Sequence, residues 1–196
     1  MPLLRVFIAV EIPLSIRQAI YDQTVSLRLT LGQELVRWVP IENVHLTLKF
    51  IGEISSSNVA LLCDMLSTEA QAHPPFSIEI GGLGAFPNAR QARVIWIGIH
   101  PSPALTSLQR GIEAAAVRLG YEADARPFSP HLTISRIRQP ISIADQQKIR
   151  TALEKTTIGR LGTTNVTAIH LFKSDLKPSG AEYTRLFSTP LGSPTP

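Results

Sequence analysis

One cysteine, Cys63, stands in a chain of 196 residues, so neither an internal disulfide nor an all-cysteine metal cage can form within it. Cys63 lies in the apolar stretch 60–66 and reads as a buried, inert thiol in a reducing cytosol. Long apolar runs are missing too: none reaches the ~18 residues that a membrane-spanning helix needs. The run that follows Arg5 is cut by Glu11, too early for the core of a secretory signal. The expectation is a soluble, cytoplasmic protein with no membrane partner. Nucleotide-binding loops are also wanting, because GGLG at 81–84 has neither the G-x-x-x-x-G-K-[ST] of a P-loop nor the full G-x-G-x-x-G pattern. It reads as a turn. Charge of one sign is only mildly in excess, with 19 Lys and Arg against 15 Asp and Glu; a net +4 favours a polyanionic partner without identifying one.

What the chain does contain is a repeat of itself. RVFIAVEIP at 5–13 returns as RVIWIGIHP at 93–101, an offset of 88, and HLTL at 45–48 returns as HLTI at 131–134, an offset of 86. The first pair reads as buried strands. Helical spacing of apolar residues follows each landmark, at 15–29, 57–72, 104–119 and 144–155, and further strands are expected near 76–81 and 165–172. Each half then runs strand, helix, strand, helix, strand. That order in duplicate predicts an α+β fold: two pseudo-symmetric lobes of mainly antiparallel sheet with outer helices and a cleft between them. We read 1–187 as one bilobal domain whose repeats span about 5–81 and 93–172. GGLGAFPNARQA at 81–92 is expected to be a connecting loop, and the Pro, Ser and Thr-rich tail 188–196 to be disordered.

Strand alternation gives the two repeated motifs their chemistry. In VHLTLKF, residues 44–50, the apolar Val44, Leu46, Leu48 and Phe50 point one way and His45, Thr47 and Lys49 the other. PHLTIS likewise sets His131, Thr133 and Ser135 opposite Leu132 and Ile134. Should the polar faces meet, two imidazoles and two threonines would surround one small anion. In-line displacement at a phosphodiester needs a base for the nucleophile and an acid for the departing oxygen. Two imidazoles with an ordinary pKa of about 6.5 can divide those tasks near neutral pH. The threonine hydroxyls could donate to non-bridging oxygens, and Lys49 could attract the phosphate. A lone His-x-Thr means little, but recurrence at matched positions has no structural reason. His73, His100 and His170 lack that context and are expected at the surface or as caps. Neither motif has a carboxylate, cysteine or second histidine at ligand spacing, so no metal or other cofactor is expected.

On HLTLKFIG at 45–52, GLGAFP with RVIWIGI at 82–99, SPHLTISR at 129–136 and LFKSDLKPSGAEYTRL at 171–186, the chain resembles the two-histidine (2H) phosphoesterases. Within them it is similar to the bacterial RNA 2′,3′-cyclic phosphodiesterases, historically called 2′-5′ RNA ligases. The resemblance implies hydrolysis of an RNA 2′,3′-cyclic phosphate end to a 2′-phosphomonoester, and the chain is expected to act as a monomer. It implies His45 as proton donor, His131 as proton acceptor and Arg136 as a phosphate contact. Strict alternation puts Arg136 on the wrong face, so that role requires a bulge or the strand's end. Trp38 is a candidate for stacking on a base; Phe7 and Trp96 fit the core better. Two alternatives stand beside hydrolysis: 2′-5′ ligation by the reverse reaction, and a non-catalytic module that binds RNA ends.

Overall fold

In the computed structural model, which describes residues 3–177 and 180–192, the duplicated order is directly visible. The first half holds β1 (Leu3–Glu11), α1 (Leu14–Leu31), β2 (Val36–Trp38), β3 (His45–Ser55), α2 (Val59–Gln71) and β4 (Phe76–Phe86). The second holds β5 (Val94–Ile99), α3 (Pro103–Arg118), β6 (His131–Ile137), α4 (Ile143–Lys155), β7 (Arg160–Val166), β8 (Ala168–Lys177) and β9 (Gly180–Pro190). All four expected helices are present. Spacing explains them: α3 buries Leu105, Leu108, Ile112, Ala115 and Ala116, three or four residues apart, and starts where the Ser102 hydroxyl accepts from the Leu105 N–H at 3.2 Å ahead of Pro103. No helix among the described residues is long and apolar enough to cross a membrane.

The strands form one curled antiparallel sheet in the order β7-β4-β5-β6-β3-β1-β8-β9, with β2 paired to β6. The repeats exchange strands. β4, from the first half, lies beside β5, while β8, from the second, lies beside β1. Each lobe is therefore built from both halves of the chain, and the lobes meet where β3 and β6 pair at Leu46 and Leu132. Both leucines are fully buried, each worth about 1.5–3 kcal/mol of apolar transfer. The helices cover the face that carries these leucines, and the opposite face lines a cleft.

Three expectations need correction. The segment 81–92 is strand as far as Phe86, because its glycines serve close approach: a Cβ on Gly81 would sit 2.6 Å from the Gly159 carbonyl, and one on Gly84 would collide with the Trp96 ring. The strand expected at 165–172 is the end of β7 and the start of β8, parted at Thr167. The tail does not begin at Ser188. Ser188 to Pro190 complete β9, Leu191 is buried, and the Gly192 N–H donates to the Ala70 carbonyl at 2.9 Å, which fastens this end to α2. Residues 193–196 of the expected tail lie outside the described residues.

Candidate active site

The two motifs stand side by side on neighbouring strands of one sheet. With Leu46 opposite Leu132, the antiparallel register sets His45 across from Thr133 and Thr47 across from His131, all four on the face opposite the leucines. The histidines are thus diagonal neighbours, roughly 7–8 Å apart at their backbones. His45, Thr47, His131 and Thr133 line a cleft of about 580 Å³. Neither threonine hydroxyl has a hydrogen-bond partner among the described residues, and both side chains are half-buried, open to a ligand.

Beyond the motifs, both strands bulge at the same place. Opposite β3, Ile8 pairs with Lys49 and Ala9 with Thr47, which leaves Leu48 as an extra residue; opposite β6, Ile95 pairs with Ser135 and Trp96 with Thr133, which leaves Ile134. Two consecutive residues on each strand are consequently buried, and the side chain that follows them, Phe50 on β3 and Arg136 on β6, changes face. The bulge brings Arg136 onto the histidine face, where it lines the cleft, exposed and without an ion-pair or hydrogen-bond partner among the described residues. By the same step Phe50 turns out of the apolar face into the cleft, 56% exposed.

Lys49 moves the other way, which corrects the expectation that it faces phosphate. Its side chain is buried, with the ammonium 2.8 Å from Glu113 Oε2, 3.0 Å from the Glu122 carbonyl and 3.7 Å from Asp124 Oδ1. Burial is the largest single influence on the Glu113 carboxyl and raises it, but the hydrogen bond and charge of Lys49, with the hydrogen bonds from Asp124, together outweigh it and the net shift is downward. For the more distant Asp124 burial wins, and its carboxyl is raised. Lys49 therefore ties β3 to α3 and to the loop whose later residues, Ala125 to Ser129, wall the cleft. Trp38 does not line the cleft. It shares the core side of β2 with Val36, donates from Nε1 to the Gly32 carbonyl at 3.1 Å, and lies under the Arg28 guanidinium, 4.5 Å from the ring centre. Arg37, between them, takes the opposite face.

Each histidine is held in one tautomer by the same device. Nδ1 of His45 lies 2.7 Å from the Asn43 carbonyl and Nδ1 of His131 lies 2.7 Å from the Ser129 carbonyl. A carbonyl only accepts, so Nδ1 carries the proton and Nε2 is left to exchange one with a ligand. Aromatic rings fix the imidazoles further. Phe7 stacks on His45 at 4.8 Å and Tyr183 meets it edge-on at 5.2 Å, while Phe86 meets His131 edge-on at 4.9 Å. Burial lowers the pKa of both imidazoles; the carbonyl bonds resist this, and the Arg136 charge lowers both further, as does His131 for His45. In the free protein both imidazoles are therefore biased toward the neutral form.

Tyr183 is a cleft residue that the sequence reading did not single out, since β9 lies outside the repeat. Asn43 and Ser129 contribute only carbonyls and leave no side-chain signal. His170 is buried in β8, contrary to expectation, because that strand is interior to the sheet and sets the imidazole among neighbouring side chains, with the Phe172 ring 5.9 Å away. Its Nε2 lies 3.9 Å from Glu11. His100 is exposed as expected, and Cys63 is a half-buried free thiol whose pKa is raised by burial and by Asp64. Among the described residues no three His, Cys, Asp or Glu side chains gather as a metal-binding group.

A curled antiparallel sheet with outer helices and paired His-x-Thr motifs on its concave face defines the two-histidine phosphoesterase class of fold. The match is more particular than that. The chain belongs to the 2′-5′ RNA ligase superfamily, whose family model matches residues 17–178. Curated relatives include proteins named RNA 2′,3′-cyclic phosphodiesterase from Methanothermobacter thermautotrophicus, 29% identical over 92% of this chain and 95% of the relative, and from Archaeoglobus fulgidus, 31% identical over 92% and 96%. Among solved structures, TT0787 of Thermus thermophilus superposes with a TM-score of 0.79 at 26% identity, covering 97% of this chain and all of that one. Escherichia coli LigT complexed with 3′-AMP gives 0.70 at 27% identity, covering 97% and 99%.

Proposed function

We propose that this protein hydrolyses the 2′,3′-cyclic phosphate at the end of an RNA to a 2′-phosphomonoester, with His45 as general acid and His131 as general base. The observation that carries this reading is the matched pair of Nδ1-to-carbonyl bonds, which leaves two Nε2 atoms free in one cleft beside two threonine hydroxyls that have no partner among the described residues. A module that only held phosphate would be better served by arginines in those positions. RNA is the substrate class because a 2′,3′-cyclic phosphate requires the 2′-hydroxyl, which DNA lacks. The relatives' names and the nucleotide in the LigT complex support the same class.

In the proposed reaction His131 Nε2 takes a proton from water as its oxygen bonds to phosphorus. The bond from phosphorus to O3′ breaks on the opposite side, and O3′ receives the proton of His45 Nε2. Thr47 and Thr133 donate to the non-bridging oxygens, and Arg136 balances the charge that grows there. The bound anion favours the imidazolium that the reaction needs, against the burial that disfavours it in the free protein. Phe50, exposed in the cleft, offers a face for the terminal base. All these groups come from one chain, so a monomer suffices.

Phosphorus NMR of a 2′,3′-cyclic nucleotide incubated with the protein and a chelator tests the proposal. The expected result is steady conversion to the 2′-phosphomonoester. No conversion, a 3′-phosphate product, or turnover that returns only with a divalent metal would overturn it.

A further inference from the structure

The antiparallel register orders the cleft along its length: Phe50 at one end, then the Thr47–His131 pair, then the His45–Thr133 pair, and Arg136 at the other end. Beside Arg136, at the same level on the neighbouring strand, stands Arg37, its partner in the β2–β6 ladder. Val36 and Ile137, the next pair of that ladder, are buried, so Arg37 and Arg136 both project from the opposite, cleft-side face, and both are exposed. Two like charges directly opposite one another on a sheet repel. No carboxylate pairs with either among the described residues, although the chain forms ion pairs elsewhere. An uncompensated cation pair leading out of an anion site is a surface built for a second anion.

We propose that Arg37, with Arg136 beside it, binds the internucleotide phosphate of the RNA strand immediately upstream of the reacting end, and so makes the site selective for strands over mononucleotides. The inference rests on the proposed reaction, whose chemistry supplies the direction. In a ribose the base is attached next to C2′ and the upstream strand next to C3′, by way of C4′ and C5′. O3′ is the leaving oxygen and faces His45, so the strand leaves the site toward the His45 end of the row, where Arg136 and Arg37 stand side by side. The base leaves toward Phe50. A free 2′,3′-cyclic nucleotide has nothing to place against Arg37.

The test compares kcat/KM for a 2′,3′-cyclic mononucleotide and for a short oligoribonucleotide with the same cyclic end, in wild type, Arg37→Gln and the remote charge control Lys148→Ala on the exposed side of α4. Wild type is expected to prefer the oligonucleotide. Arg37→Gln should lower the ratio of the two kcat/KM values roughly 3- to 10-fold and weaken its salt dependence by about 0.7 in log–log slope, the share of one phosphate contact on a single strand. Lys148→Ala should leave the ratio as it is. The melting temperature of Arg37→Gln should not fall, since a repulsion is relieved; a merely structural arginine would lower it. Equal loss on both substrates, no change in the ratio, or the same change in Lys148→Ala would overturn the inference while the hydrolytic function stands. Failure of wild type to turn over either substrate would overturn both.

Discussion

Replacing Arg136 by alanine should separate two effects that the structure assigns to one side chain. Arg136 reaches the cleft only because β6 bulges at Ile134, and it has no partner there among the described residues. Its first effect falls on phosphate. Loss of one preorganised donor to a developing anion typically lowers turnover 10²- to 10³-fold, about 2.7–4 kcal/mol, so kcat/KM for a 2′,3′-cyclic nucleotide should fall by that much. Its second effect falls on the histidines. Burial is the main cause of their lowered pKa values, but the Arg136 charge pushes in the same direction on both. A positive neighbour disfavours the imidazolium; its removal must let both pKa values rise. The optimum of the bell-shaped kcat/KM profile should accordingly move to higher pH. Proton NMR titration of the two imidazoles, run beside the pH–rate profile, reads both effects. Arg136→Lys should restore the downward pull on the histidines but not the rate, because lysine cannot reproduce a forked contact. Histidines that titrate as in wild type, or a rate within about threefold of it, would refute the reasoning.

Other outcomes follow from the same geometry. With a nitrophenyl phosphodiester, whose leaving group departs without a proton, His45→Ala should recover much of its lost rate and His131→Ala should not; the reverse pattern would exchange their roles. Lys49→Met should lower stability by about 2 kcal/mol in urea unfolding, less than the roughly 3–5 kcal/mol for breaking a fully buried pair, because Glu113 keeps some contact with water. A loss below about 0.5 kcal/mol would show that Lys49 does not anchor the cleft wall. Burial holds His45, His131 and His170 below the ordinary imidazole value. The unfolded chain then binds more protons, so the stability these groups contribute is present above about pH 6.5 and is lost as pH falls through their folded values. Thermal melts from pH 7 to 5 should show a falling Tm, with a shallower fall in His170→Asn; an unchanged or rising Tm would contradict this.

Much of this was legible in the sequence, and the errors share a cause. Helices declared themselves because α1 to α4 keep a 3.6-residue apolar spacing with little interruption. His45, Thr47, His131 and Thr133 were legible because alternation is intact between them. Alternation fails one residue later, at Leu48 and Ile134, and a bulge leaves no mark in residue type. Strict alternation therefore sends Lys49 toward the cleft and Phe50 toward the core, the reverse of what the strand does. For Arg136 the same rule pointed away from the site, and only the need for a bulge could be stated. The repeat misled by one residue in β1 and β5. RVF and RVI align at an offset of 88, whereas the ladders equate Phe7 with Val94, an offset of 87, which moves Trp96 from the core side to the side of His131, 6.2 Å from its ring. The Trp38 ring suggests base stacking, but its neighbour Arg37 holds the cleft-side face. The exchange of β4 and β8 between lobes depends on long-range pairing that local pattern does not encode.

The central claim is that two histidines act together as acid and base on one cyclic phosphate. It is tested most directly by the turnover of a 2′,3′-cyclic phosphate end at the optimal pH by His45→Ala and His131→Ala, each confirmed to be folded. Each variant is expected to lose roughly 10²- to 10⁴-fold in kcat, the contribution of a positioned proton-transfer group. Turnover close to wild type in either variant would contradict it.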